Sequence, residues 1–538
     1  MGVSIPAARR RPSAWLWSLV VILGLLTAAV PATVGAAPGD APVTTVSGGE
    51  ISGRRADGIV QYLGVPFGAS TAGENRFAPP RPAPAWTGTR PAVEHGPACP
   101  QAPTLPTGAP LWPSSEDCLN IDVYVPDHPA DAKLPVMVWL YGGAFVLGAN
   151  SQYDSPARLV RDGQVIVAIP NYRVGPFGFL ALPELADADG GATGTYGTLD
   201  QQAALHWIRD NAAAFGGDPD NVTLFGESAG GMSVCTQLAS PLARGLYAKA
   251  IVQSGSCARS PLAPPSKEVA YQRSADYAAA LGCADPASRS ACLRALPVGR
   301  LLDSPTTSLM SMNVTWTPIL DGVVLTTDPE TALANGAARD IPLITGSNTN
   351  EGATFIALLD YTRGAVPTDS DYLAWLRTEF GADTDRVLDR YPLSAFASAT
   401  EAKRQVITDG FFACPSLFVS RAARHGGGRV WQYQFDDAPL GQNPVLPGAF
   451  HAADVLYVFS GGVGLPYPLP PVADQLSRRI QQSWARFAYT GDPETPAFTP
   501  WPAEPDRTLE LSGDRVLVGD GFEGQHHCDL WSEIGHIG

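Results

Sequence analysis

Residues 221–231 read NVTLFGESAGG. An apolar, β-branched run, Val222 to Phe225, leads into Gly226-Glu227-Ser228-Ala229-Gly230, and a helical pattern starts near Ala229 with Gly231, Met232 and Val234. Gly-x-Ser-x-Gly alone is weakly specific in a chain of 538 residues with 55 glycines. Between a buried strand and a helix it marks a sharp turn that lifts the serine hydroxyl above a sheet, with the helix N-terminus facing any negative charge that develops there. Ser228 is therefore the candidate nucleophile. Gly226 and Gly230 lack Cβ atoms and let the turn pack closely against its neighbours.

A serine nucleophile passes through a tetrahedral oxyanion that needs preorganised N–H donors. Leu140 to Gly148, LYGGAFVLG, follows the apolar run Val136 to Leu140, and its small residues allow backbone amides to approach a ligand oxygen. Gly143 and Ala144, with Ala229 directly after the nucleophile, are the candidate oxyanion donors. Further short apolar runs lie at Ile121 to Val125, Leu134 to Leu140, Val165 to Ile169, Ala250 to Gln253 and Ile341 to Thr345. Such runs read as strands buried on both faces. Helical patterns such as Leu199 to Phe215 lie between them, so the predicted class is α/β, a large, mostly parallel sheet flanked by helices. Val43 to Ile51 and Ile59 to Val65 predict an antiparallel N-terminal start, Pro79 to Pro113 a Pro-rich loop region, and Leu476 to Tyr489 a late helix. Mixed helices over about 328–430 predict a cap-like insertion. No internal repeat appears, and residues 38–538 are expected to form one domain.

Hydrophobic residues make up 45% and charged ones 16%, which supports a sizeable core rather than a disordered polymer. The chain carries 36 Lys plus Arg against 52 Asp plus Glu, a net charge of −16, with no basic block beyond the first eleven residues. Nucleic-acid binding leans on clustered cations, so DNA and RNA are poor partners. Residues 1–37 predict a signal peptide: Arg9, Arg10 and Arg11 precede an apolar stretch from Ala14 to Val30, and Val34, Ala36 and Ala37 suit cleavage. Cleavage removes three arginines and no acid, taking the net charge from −16 to −19, and no other stretch is long and apolar enough to span a bilayer. Export would let the eight cysteines pair durably. The simplest reading makes Cys99 with Cys118 and Cys283 with Cys292 local staples, though eight cysteines allow 105 connectivities. Residues 526–529, HHCD, read as a surface turn ending in a disulfide; a metal site would need a second ligand pair that is absent at zinc-like spacing.

With the two glycine loops in hand, the sequence resembles the type-B carboxylesterase family of α/β-hydrolases over about residues 43–531. SEDCLNIDVYVP (115–126), YLGVPFG (62–68), NRFAPP (75–80), NYRVGPFGF (171–179), GTLDQQAALHWI (197–208), IVQSGS (251–256) and FAYTGDP (487–493) are similar to family segments. The resemblance implies the order nucleophile, acid, histidine. GSNTNEGATF (346–355) supplies Glu351 as the acid, and FHAAD (450–454) supplies His451. It also implies that Ser254 supports the acid, with Glu227 beside the nucleophile as a further supporting residue, and that Arg76 and Glu116 form a structural ion pair. Cys99 with Cys118, Cys283 with Cys292 and Cys414 with Cys528 match family disulfides. Cys235 and Cys257 are left to pair with each other or to stand as free thiols. The cholinesterase branch carries a Trp ten residues before the cysteine matched by Cys118, where this chain has Gly108, so an aromatic cage for quaternary ammonium is not implied. The expected protein is a secreted serine carboxylesterase that needs no metal or organic cofactor and acts on a small-molecule or lipid ester. A true lipase or sterol esterase, and a non-catalytic binding protein on the same scaffold, are the alternatives. Neither substrate nor oligomeric state can be read.

Overall fold

The computed structural model describes residues 41–534 except 103–110, 130–132, 154–155, 189, 256, 259–261, 305–314, 361–363, 365, 442, 464, 467, 499, 505–506 and 514. The predicted signal peptide lies outside the described residues. The strands that form the large sheet are β1 (Arg54–Ala56), β2 (Ile59–Pro66), β3 (Asn120–Pro126), β4 (Leu134–Leu140), β5 (Ile166–Pro170) and β6 (Gly217–Glu227). They continue with β7 (Lys249–Gln253), β8 (Leu343–Asn348), β9 (Val430–Phe435), β10 (Thr508–Ser512) and β11 (Arg515–Gly519). Among the described residues these eleven pair in the order β11-β10-β9-β8-β7-β6-β4-β5-β3-β2-β1. The pairs from β5 through β4 to β10 are parallel. The β1–β2, β2–β3, β3–β5 and β10–β11 pairs are antiparallel.

Strand β4 shows why the centre is buried on both faces. Val136, Val138 and Leu140 enter one core cluster, and Met137 and Trp139 enter the other. Side chains on a strand alternate between faces, so an unbroken apolar run needs cover on both sides. Helix α1 (Tyr196–Asn211) covers one face with Ala204, Leu205, Trp207 and Ile208, and α2 (Ala229–Ala239) adds Val234 and Leu238. The helix over 471–490 covers the other with Leu476, Ile480, Trp484 and Phe487, a helical-period stripe that ends at Gly491 with φ 71°. Between β8 and β9 lie helices that include α3 (Ala399–Thr408), a π-turn at Asp409–Ala413 and α4 (Cys414–His425).

Three elements differ from the sequence expectation. Val43 to Ile51 is two strands, Val43–Val46 and Gly49–Ser52, folded into a hairpin that joins Thr89–Pro91 in a separate sheet. The polar Ser47-Gly48 pair makes the turn. Strand β9 went unpredicted because its Trp-Gln-Tyr-Gln-Phe alternation follows directly on a helix. The β10–β11 hairpin went unpredicted as well.

All eight cysteines pair: Cys99–Cys118, Cys235–Cys257, Cys283–Cys292 and Cys414–Cys528. Arg76 meets Glu116 through two hydrogen bonds of 2.6 and 2.7 Å and also donates to the carbonyls of Arg294 and Leu296 at 2.9 and 2.7 Å. Their side chains are only 8% and 10% exposed. Removing one partner leaves the other desolvated and unpaired, so Arg76→Ala is expected to lower unfolding free energy by about 3 kcal/mol in chemical denaturation. A loss below about 0.5 kcal/mol, typical of a surface pair, would contradict this role.

Candidate active site

The turn at Ser228 is built by close backbone contact. A Cβ on Gly230 would sit 1.9 Å from the Leu140 carbonyl oxygen, and one on Gly226 would sit 2.7 Å from Gly230. Only glycine lets β4 and α2 approach this closely. Ser228 itself takes φ 56° and ψ −124°. Its N–H donates to the Gln253 carbonyl at 2.9 Å, and its carbonyl accepts from Met232 N–H at 2.9 Å. Glu227 and Ala229 are buried while Ser228 is partly exposed.

Glu351 and His451 come from different connections at the carboxyl ends of β8 and β9. Glu351 is fully buried, and its Oε1 accepts from Ser254 Oγ at 2.5 Å and from Asn348 N–H at 2.7 Å. Its Oε2 meets His451 Nδ1 at 2.6 Å. A carboxylate so placed fixes the imidazole with its proton on Nδ1. Asn348 Nδ2 donates to the Phe450 carbonyl at 2.9 Å, and Thr354 Oγ1 to that of His451 at 3.1 Å, which holds the loop bearing the ring. The rings of Phe412 and Phe355 lie 4.7 and 5.1 Å from the imidazole.

His451 Nε2 makes no hydrogen bond among the described residues, and its nearest charged neighbour is Glu227 Oε1 at 3.2 Å. Ser228 follows Glu227 directly in the chain and makes no hydrogen bond to Nε2 here. A Cβ built on Gly142 would lie 3.0 Å from Ser228 Cβ, so the loop after β4 runs beside the serine. In that loop the partly exposed Gly143 and Ala144 have φ 112° and 52°, and their N–H groups donate to nothing among the described residues. The N–H of Ala229, at the first position of α2, is likewise unpaired among the described residues. Three unpaired amides thus border the exposed serine.

Sequence reasoning missed the electrostatics. Glu227, Glu351 and Asp454 all surround one imidazole. Asp454 accepts from Gln253 Nε2 at 2.8 Å and Tyr433 OH at 2.9 Å, and burial raises its pKa. Burial also raises the Glu227 carboxyl, to about 8, against the opposing pull of His451. At His451 burial works against the imidazolium, but Glu227, Glu351 and Asp454 together outweigh it and lift the pKa to about 9. Asp454 stands three residues after His451 in the quoted segment, yet nothing in its spacing signals a buried role.

The 526–529 turn differs from its sequence reading. His526 is buried, with Nδ1 2.6 Å from Asp409 Oδ1 and Nε2 2.6 Å from Gln434 Nε2, so it belongs to the interior and not to the surface.

The sequence profile of the Carboxylesterase family matches residues 40–531. The chain is 37% identical to the para-nitrobenzyl esterase of Bacillus subtilis (strain 168) over 89% of its own length and 96% of that protein. The chain belongs to the carboxylesterase family. This carboxylesterase is also 33% identical to the fumonisin B1 esterase of Sphingopyxis macrogoltabida, covering 97% of the chain and 96% of that protein. To Carboxylesterase 1C of Rattus norvegicus it is 31% identical, covering 92% and 94%. Among solved structures, a thermophilic para-nitrobenzyl esterase superposes with TM-score 0.79 at 34% identity, covering 91% of this chain and all of that one. The fold is that of the α/β-hydrolases, and the protein is a carboxylic ester hydrolase. No described helix is long and apolar enough to cross a membrane.

Glu227→Gln removes the carboxylate nearest Nε2. The imidazolium then loses a stabilising charge and the neutral ring persists to lower pH. The acid limb of the pH profile for ester hydrolysis is expected to move down by about one unit; an unmoved or upward-shifted limb would show that Glu227 does not set it.

Proposed function

We propose that the protein is a secreted serine carboxylesterase working through Ser228, His451 and Glu351 and an acyl-enzyme. Two observations support the reading: Glu351 orients an imidazole whose unbonded Nε2 faces Glu227, the residue before Ser228, and three unpaired amides lie beside the partly exposed serine. His451 Nε2 takes the Ser228 proton as Oγ bonds to the ester carbonyl carbon. The Glu351 carboxylate stabilises the imidazolium that results. The carbonyl oxygen, now an anion, accepts from the amides of Gly143, Ala144 and Ala229. On collapse the bond to the alcohol oxygen breaks, and His451 gives its proton to that leaving group. Water repeats the cycle on the acyl-enzyme, with His451 again as base, and releases the acid. No step calls on a cofactor.

Export is part of the same proposal. The predicted leader and four disulfides suit an oxidising compartment. N-terminal sequencing of protein recovered outside the cell is expected to start close to residue 37.

Ser228→Ala is expected to keep the melting temperature and lose hydrolysis of p-nitrophenyl esters by roughly 10⁴-fold or more. In parallel, an organophosphate should label the parent once, at Ser228, and leave the variant unlabelled. Undiminished turnover, or labelling elsewhere, would remove Ser228 from the mechanism. Acyl chains of increasing length, with a triglyceride emulsion beside them, separate esterase from lipase.

A further inference from the structure

The loop that carries Gly143 and Ala144 is strained. Ala144 and Phe145 sit at φ 52° and 58°, which side-chain-bearing residues keep only where surrounding contacts enforce it. The upstream end is held by Tyr141 and Tyr172, stacked at 4.4 Å, with Tyr172 OH donating to the Tyr141 carbonyl at 2.6 Å. The middle is held by Gly175 N–H, which donates to the Phe145 carbonyl at 2.6 Å.

The downstream end is held from the loop closed by Cys99–Cys118. Gly148 N–H donates to Gln101 Oε1 at 3.1 Å, and Gln101 Nε2 donates back to the Gly148 carbonyl at 3.0 Å, a two-way clasp resembling one rung of a β-ladder. The remaining Nε2 hydrogen goes to the Cys99 carbonyl at 3.0 Å, so this 4% exposed side chain is fully satisfied. Two residues past the other half-cystine, Asn120 repeats the arrangement. Its Nδ2 donates to the Cys118 carbonyl at 3.0 Å, and its Oδ1 accepts from Asn150 Nδ2 at 2.9 Å. Each half-cystine is thus followed at the same spacing by a buried amide that bonds back to the cysteine carbonyl and forward to the 148–150 segment.

We propose that Gln101 is a positioning residue for ester hydrolysis. Assisted by Asn120 across the disulfide, it fixes the Gly148 end of the loop and so the direction of the Gly143 and Ala144 amides. The coupling is short: the N–H groups of Val146 and Leu147 both donate to the Gly143 carbonyl, at 3.0 and 3.2 Å, so Gly148 follows directly on the turn that orients the donors. Without the clasp the strained residues can relax and the amides turn away. The inference rests on the oxyanion assignment proposed above.

Gln101→Ala and Gln101→Glu test it, the second keeping an acceptor for Gly148 N–H while losing both donated bonds. At a temperature well below unfolding, Gln101→Ala should lower kcat roughly 10- to 100-fold with KM changed less than about twofold. The Ki of a trifluoromethyl ketone, whose adduct places an oxyanion at these amides, should rise by the same factor as kcat/KM falls. Gln101→Glu should fall between variant and parent. Should Gln101→Ala fail to fold, Gln101→Glu decides by the same two readouts. A folded variant with kcat and Ki within twofold of the parent, or one that loses melting temperature alone, overturns the proposal. Hydrolysis that survives Ser228→Ala would overturn the serine reading itself. An inactive Ser228→Ala beside an unaffected Gln101→Ala would overturn the positioning role only.

Discussion

The backbone of Ser228, held at φ 56° and ψ −124°, is the constraint on which the rest of the site depends. Such a conformation costs a side-chain-bearing residue on the order of 1 to 3 kcal/mol and lasts only where neighbours over-determine it. Three neighbours do so: the Gln253 carbonyl receives Ser228 N–H, α2 begins on the Ser228 carbonyl, and Gly230 packs against Leu140 where no side chain fits. Strands β4, β6 and β7 must therefore be in register before the serine can be exposed at all. The Cys235–Cys257 bridge ties α2 to the segment after β7 that also carries Ser254, the hydroxyl that bonds Glu351. Helix α2 and the Ser254 segment are thereby one mechanical unit.

Around that unit the charges are unequal in a useful way. Three carboxylates crowd one imidazole, and what separates them is how many donors each has. Glu351 receives Ser254, Asn348 and the ring, and Asp454 receives Gln253 and Tyr433. Glu227 Oε1 has no hydrogen-bond donor among the described residues and faces Nε2. Burial first, and the neighbouring Asp454 and Glu351 carboxylates after it, raise the Glu227 pKa against the pull of His451. Glu351 thus orients the ring through a contact, whereas Glu227 biases its charge through space.

Much of this was legible in the sequence because the signals are local. A buried strand, two glycine loops and a strand-to-helix serine each declare themselves within a dozen residues, and the fold class follows from the alternation of such segments. Glu351 and His451 were legible only through resemblance, since a lone acid after a strand and a lone histidine in a loop carry no pattern of their own. Strand β9 was hidden because it starts at Val430, where a stretch read as mixed helices ends; its alternation would at most have signalled a half-wet face, whereas Gln432 and Gln434 are buried and Gln434 bonds His526. His526 was misplaced for the converse reason. A polar HHCD run looks like surface until Asp409, more than a hundred residues away, supplies the partner that makes burial tolerable. Long-range polar pairing is what local sequence cannot display.

The disulfides extend the same logic. Cys99–Cys118 flanks the amides that hold the loop after β4, and Cys235–Cys257 joins helix α2 to the Ser254 segment. Cys414–Cys528 sits directly after the π-turn that places Phe412 against the His451 ring. Cys283–Cys292 closes the segment whose following carbonyls receive Arg76. A sheet this wide, with both faces covered, does not need cross-links to fold. The loops at its carboxyl edge do, because strained turns and buried amide clasps contribute little apolar area of their own. Three of the four bridges therefore fall on the connections that shape the site, so their reduction should loosen the geometry around Ser228 before it loosens the core.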